Sequence, residues 1–205
     1  MKLRDFESRI ENLPVFNLND VRKIDPGFHR QQLHYWQKQG YIKAVAGGYY
    51  ILAHRNVDEA HLFMVANKLY QPSYISLESA LAYYHVIPET VLGVTSISSR
   101  ITKKYTTDWG VFSYRSVKPQ YMFGYEIFQV DQQKKYTMAS LEKAVLDYLY
   151  LNTDIQTFAD LEGLRWNRDQ LQPLKDSVAF HQYLSLFNKK ALNDRVELFK
   201  AFLNA

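Results

Sequence analysis

The side chains best suited to acid–base or metal chemistry are six histidines, His29, His34, His54, His61, His85 and His181. None stands in an HExxH spacing, so zinc-assisted hydrolysis lacks its ligand pattern. The eight glycines form no P-loop, no GxGxxG and no GxSxG elbow. No Asp-x-Asp pair offers ligands for two-metal phosphoryl transfer. With no cysteine, disulfides and thiolate metal sites are excluded. His85, following Tyr83 and Tyr84, reads as a capping or core histidine. The expectation is a protein that is not an enzyme, with no catalytic residues, no metal site and no cofactor.

Residues 26–39 suggest recognition instead. A DNA-reading helix buries one face on its own domain and turns polar side chains to base edges in the major groove. Here Leu33 and Trp36 supply the inward face, with Tyr41 and Ile42 just beyond. His29, Arg30, Gln31, Gln32, His34, Tyr35 and Lys38 are left outward. Glutamine suits adenine, arginine suits guanine or phosphate, and tyrosine and lysine suit phosphate. The candidate DNA contacts are His29, Arg30, Gln31, Gln32, Tyr35 and Lys38, joined by Lys43 and Tyr49 from the following hairpin. Two full cations in this helix is a sparse allotment, so a helix used only for protein contact is the competing reading.

The elements that position these residues follow from spacing. Leu3, Phe6, Ile10 and Leu13 fall at helical intervals, and Pro14 ends the run. Asn17 or Asn19 can cap a second helix carrying Leu18, Val21 and Ile24. Asp25-Pro26-Gly27 turns the chain, with Pro26 suited to the first position of the third helix and Gly40 to its end. Tyr41–Val45 and Tyr49–Leu52 are β-prone and separated by Ala46-Gly47-Gly48, a hairpin signal. Three helices and a hairpin spell a winged helix-turn-helix over residues 1–55.

From residue 56 to 205 the pattern predicts a mixed α/β domain with a small, mainly antiparallel sheet and C-terminal helices, an α+β chain overall. Helices are expected around Leu62–Leu69 and Leu77–Tyr84. Strands are expected at Val94–Ile101, Val111–Val117 and Tyr121–Val130, the last with Tyr121, Phe123, Tyr125 and Ile127 on one buried face. Ser140 opens a helix bearing Leu141, Ala144, Val145, Tyr148 and Leu149, and about three more helices follow.

Charge supports the split. Residues 1–55 carry nine Lys/Arg (Lys2, Arg4, Arg9, Arg22, Lys23, Arg30, Lys38, Lys43 and Arg55) against five acids, and the remainder carries sixteen of each sign. The whole net charge of +4 therefore sits in the first quarter, as a polyanion partner would favour. The charged N-terminus offers no signal peptide, and no run approaches the roughly 20 apolar residues that span a bilayer. A cytoplasmic protein without a membrane segment is expected.

Several segments resemble the AbiEi antitoxins of AbiE (type IV) toxin–antitoxin systems. They are Gln71-Pro72-Ser73-Tyr74-Ile75-Ser76-Leu77-Glu78-Ser79-Ala80-Leu81, Ile87-Pro88-Glu89-Thr90-Val91 and Gly47-Gly48-Tyr49-Tyr50-Ile51-Leu52. Gly110-Val111-Phe112-Ser113-Tyr114 and Ala139-Ser140-Leu141-Glu142-Lys143-Ala144-Val145-Leu146-Asp147 add to the likeness, which spans about residues 40–150. The resemblance implies a bacterial phage-defence protein that represses its own operon by binding operator DNA at inverted repeats. Its implied partner is a nucleotidyltransferase-like toxin, neutralised through the C-terminal domain. Residues 151–205 carry no signature.

The same segments also have a purely structural explanation. Pro72 and Ser73 can lie in a helix exit loop, Ser76 can cap the next helix, and Lys143 and Asp147 can form an i,i+4 pair on a helix surface, worth roughly 0.2–0.5 kcal/mol. The alternative to a transcriptional regulator is thus a protein-interaction module without DNA binding. A third reading, a nucleic-acid enzyme, requires convergent acids in a polar cleft of residues 56–205.

Overall fold

The computed structural model describes residues 3–88 and 92–204. Lys2, from the N-terminal cation count, and Glu89, Thr90 and Val91, from the second resemblance segment, lie outside the described residues.

The chain opens with α1 (Leu3–Ile10), β1 (Phe16–Asn17), α2 (Leu18–Ile24), α3 (Arg30–Lys38), β2 (Ile42–Ala44) and β3 (Tyr49–Leu52). β3 lies between β1 and β2, antiparallel to both, with Asn17 opposite Tyr49 and Ala44 opposite Tyr50. Asn17 is the cap of α2: its side chain accepts from the backbone of Asn19 and Asp20, while Asp20 answers to the backbone of Asn17. The third helix starts later than its proline suggests. Pro26 sits in a turn closed by a 3.0 Å bond from the Phe28 amide to the Asp25 carbonyl, and Phe28 is buried before the helix begins at Arg30. The buried ring, not the proline, fixes the start. Gly40 ends α3 in the left-handed region (φ +74°).

These elements close on a small core of their own. Trp36 stacks on Phe6 with centroids 5.0 Å apart and meets Phe28 at 5.3 Å, and Phe6 meets Phe16 edge-on at 5.0 Å. Leu33, Val21, Ile42 and Leu52 fill the remainder. Ile42 is buried as its position suggests, but Tyr41 is 43% exposed, because the turn after Gly40 directs it outward.

The larger unit runs through α4 (Glu59–Leu69), β4 (Ser73–Ile75), α5 (Leu77–Tyr83), β5 (Gly93–Ser98), β6 (Lys103–Thr107), β7 (Gly110–Ser116), β8 (Tyr125–Gln129), β9 (Lys135–Ala139), α6 (Leu141–Leu151), α7 (Phe158–Gly163), α8 (Arg168–Leu171), α9 (Val178–Phe187) and α10 (Lys190–Asn204). Its sheet has six strands in the order β6-β7-β5-β4-β9-β8. β5 runs parallel to β7 and β4 parallel to β9, and the other pairs are antiparallel. The expected small, mainly antiparallel sheet is thus a six-stranded mixed one. α4 covers one face, where Tyr114 Oη donates to the Ala66 carbonyl at 2.8 Å and Phe63 meets Tyr136 at 5.3 Å. α6 covers the centre of the other, followed by α9 and α10.

Two local expectations are corrected, and a third is decided between its alternatives. Ser73 is not in an exit loop but begins β4, paired with Ser98 of β5. The segment Tyr121–Val130 is not one strand. Tyr121 ends a short 3-10 turn (Pro119–Tyr121) and is buried, Gly124 turns the chain at φ +68°, and the strand starts at Tyr125. Tyr125 and Ile127 are exposed (44% and 63%) and form no buried face with Tyr121. His85 is exposed, in the left-handed position that ends α5, which is the capping alternative and not the core one.

The two units share an apolar seam. Val15, Val45 and Ile51 belong to the core cluster of the larger unit, with Ala46 and Tyr49 packed against it. His61 of α4 adds a polar link through a 2.9 Å contact of Nε2 with the Pro14 carbonyl oxygen. Among the described residues no helix is long and apolar enough to cross a membrane.

Candidate nucleic-acid interface

α3 presents its two faces as amphipathic spacing requires. Leu33 and Trp36 are 1% and 3% exposed, while Gln31, His34, Tyr35 and Lys38, at i, i+3, i+4 and i+7, form an exposed stripe. His29 and Arg30 are exposed at its start. His29 occupies the capping position without a side-chain cap bond, and the first turn holds no acid, so its positive dipole end is not offset from within the helix. Gln32 is half-buried and flanks the stripe.

A shallow depression joins the start of α3 to its neighbours, lined by Asn17, Asn19, Arg30, Gly47 and Gly48. Gly47 and Gly48 both have positive φ (+59° and +81°), and a 2.9 Å bond from the Tyr49 amide to the Ala46 carbonyl closes the turn. Lys43 on β2 is exposed nearby in the chain. The depression brings the side-chain amides of Asn17 and Asn19, the Arg30 side chain and the open backbone of Gly48 together on the small unit.

Tyr49 is the candidate whose place differs. It is half-buried and packs on the large core, so its ring belongs to the seam between the units and not to an outward contact surface. Arg55, counted among the N-terminal cations, is also committed. Its guanidinium donates to the carbonyls of Leu13 and Glu11, the latter at 2.9 Å, and burial lowers its pKa. It fastens the end of α1 to the chain leaving β3.

Sequence reasoning missed Lys103. The hairpin tip lies against the edge strand β6, close enough that a Cβ on Gly47 would stand 3.8 Å from Tyr105 Oη. Lys103 Nζ sits 5.5 Å from the centre of that same ring, which brings a cation from the larger unit beside the hairpin. Charge counting by segment could not find it, because residues 56–205 are neutral in sum.

The most tightly organised polar group lies elsewhere and is buried. Lys143 and Asp147 are completely inaccessible, not a surface pair. Asp147 Oδ2 accepts from Tyr74 Oη and Ser76 Oγ, both at 2.9 Å, and Oδ1 accepts from Lys143 Nζ. Ser76 therefore spends its hydroxyl on Asp147, not on capping α5, whereas Ser140 does cap α6 by accepting from the Lys143 amide. The rings of Phe123 and Phe187 lie 4.7 Å from Lys143 Nζ. Burial pulls the ammonium's pKa down and the carboxyl's up, and their mutual attraction opposes both shifts. With no opening to solvent this cluster has no route for a substrate, and its chemistry is that of an internal tie between β4 and α6. Among the described residues no group of three or more His, Asp or Glu side chains is placed to hold a metal ion.

No protein-family model matches this chain, and no curated protein matches it.

Proposed function

We propose that the chain is a DNA-binding transcriptional regulator whose small N-terminal unit is a winged helix, with α3 as the reading helix and the β2–β3 hairpin as the wing. One observation carries the reading. The stripe of Gln31, His34, Tyr35 and Lys38 is turned outward by the burial of Leu33 and Trp36, and Arg30 at the head of the same helix shares a surface depression with Gly47 and Gly48 of the hairpin. The order α1-β1-α2-α3-β2-β3, with β3 central among the three strands, fits winged-helix connectivity. Arg30, Lys38, Lys43 and Lys103 supply phosphate contacts, and Gln31 supplies base contact. The proposal assigns no catalytic step to any residue.

The resemblance to AbiEi antitoxins extends the proposal to autorepression of a toxin–antitoxin operon, with a nucleotidyltransferase-like toxin as partner. The test is a fluorescence titration on the protein's own upstream DNA and on a scrambled duplex, at two salt concentrations. Specific binding that weakens steeply with salt is expected. Equal absence of binding to both duplexes at low salt overturns the reading. A second reading, a winged helix that docks a protein, draws on Tyr35 and Tyr41, 57% and 43% exposed on the small unit. It is favoured if a partner protein binds and DNA does not.

A further inference from the structure

On the larger unit an open cleft of about 700 Å³ lies where the parallel strands β5 and β7 end. Ser98 and Ser116 are partners in that ladder, and a 2.9 Å bond from the Val117 amide to the Ser98 carbonyl closes its end. Ser99 and Ser116 line one wall, and Thr153, just beyond α6, adds a third hydroxyl. The carboxyl ends of parallel strands are where open α/β sheets commonly hold ligands, and the volume is in the range of small-molecule sites, about 300–1,000 Å³.

Three cations converge on this cleft, from two separate parts of the chain. Lys118 follows β7, Lys189 precedes α10, and Arg195 projects from the second turn of α10. Neither lysine has an ion-pair partner among the described residues. Arg195 is 9% exposed and donates through Nε to the Leu149 carbonyl at 2.6 Å, which fixes the guanidinium plane. Burial lowers the pKa of Arg195, and Asp194 and Asp154 are near enough to act against that, but neither lines the cleft, and no carboxylate does. The first turn of α10 holds no acid and begins with Lys190. Lysines at the positive end of a helix dipole are disfavoured, and a bound anion offsets that cost. Among the apolar residues at the cleft, the half-buried Tyr150 offers ring surface, while Val117 and Leu192 are buried behind it in the core.

We propose that this cleft binds a nucleoside phosphate, with the phosphates held by Lys118, Lys189 and Arg195 and the base laid against the ring of Tyr150. The site is separate from α3 and the hairpin and does not depend on the DNA-binding reading.

The test is isothermal titration of the full-length protein with ATP, GTP and inorganic pyrophosphate, at ionic strength matched with chloride. ATP or GTP binding tighter than pyrophosphate is expected. The double variant Lys118→Ala/Lys189→Ala, at exposed positions, weakens it by roughly tenfold or more at unchanged thermal stability. Pyrophosphate binding as tightly as ATP or GTP removes the base from the proposal and overturns the nucleoside class. Unchanged nucleotide affinity in the double variant overturns the site. No nucleotide binding, together with loss of duplex-DNA affinity in the double variant, reassigns the lysines to DNA phosphates and also overturns it.

Discussion

Tyr74 on β4 and Asp147 on α6, 73 positions apart, are joined by a 2.9 Å hydrogen bond inside the core of the larger unit. Ser76 and Lys143 complete the carboxylate's surroundings. Removing one member leaves a charge buried without its partner. Asp147→Asn or Lys143→Met is expected to cost about 3–5 kcal/mol each, and the Lys143→Met/Asp147→Asn double variant less than the sum of the singles. Urea unfolding of the four proteins checks this. Singles that cost less than about 1 kcal/mol would show that the pair is not buried as described.

The two faces of α3 separate binding from folding. Arg30→Ala/Lys38→Ala is expected to keep the thermal midpoint and to lose affinity for operator DNA. The salt slope should fall by about 0.9 for each phosphate contact removed. Trp36→Ala should do the reverse, unfolding the small unit at a cost of roughly 3–5 kcal/mol. Circular dichroism melts beside DNA titrations measure both.

The hairpin turn depends on backbone that only glycine adopts cheaply. Gly47→Ala places a Cβ at φ +59° with its nearest neighbour, Tyr105 Oη, at an ordinary contact distance of 3.8 Å, so the expected loss is backbone strain and not a clash. It should cost roughly 1–2 kcal/mol, and Gly47→Asn less, because asparagine tolerates the left-handed region. Equal losses for the two variants would point to the side chain and not the backbone.

Stability should also respond to mild acid through His61. Burial is the main cause that lowers its pKa below 6.5, with Arg55 and Lys134 acting in the same direction; the Pro14 carbonyl and Asp58 act against it. Because the folded value is the lower, the unfolded chain binds the proton first. Stability is therefore full above about pH 6.5 and falls as the pH drops toward the folded value, where the loss levels off. Urea midpoints between pH 7.5 and 5.5 should decline in the parent protein more than in His61→Gln. Parallel declines would assign the effect to other groups.

The small unit was largely legible in the sequence because its signals are local. Helical spacing turns Leu33 and Trp36 inward and Arg30, Gln31, Tyr35 and Lys38 outward, and Gly47-Gly48 marks the turn, whatever the rest of the chain does. The start of α3 was misplaced because Pro26 fits both a turn and a first helical turn, and the burial of Phe28 decides between them. β6 was missed since its run Lys103–Thr107, at a sheet edge, is almost wholly polar, and β9 was missed although it lies inside the sheet with Tyr136 and Met138 buried.

What the sequence determined by itself is this set of periods, caps and turns, together with the absence of cysteine and of recognisable catalytic spacing. Only the tertiary structure decided the environment of each charge. An i,i+4 spacing brings Lys143 to Asp147 equally well in water or in a core, and the layers stacked on α6 put them in the core. Lys118, Lys189 and Arg195 are scattered over 78 positions and meet only because α10 starts where β5 and β7 end. Tyr49 and Arg55 look available in a linear reading, yet packing between the units takes the first and the carbonyls that follow α1 take the second. Short-range spacing sets how a side chain points from its own element, and long-range pairing sets what it meets.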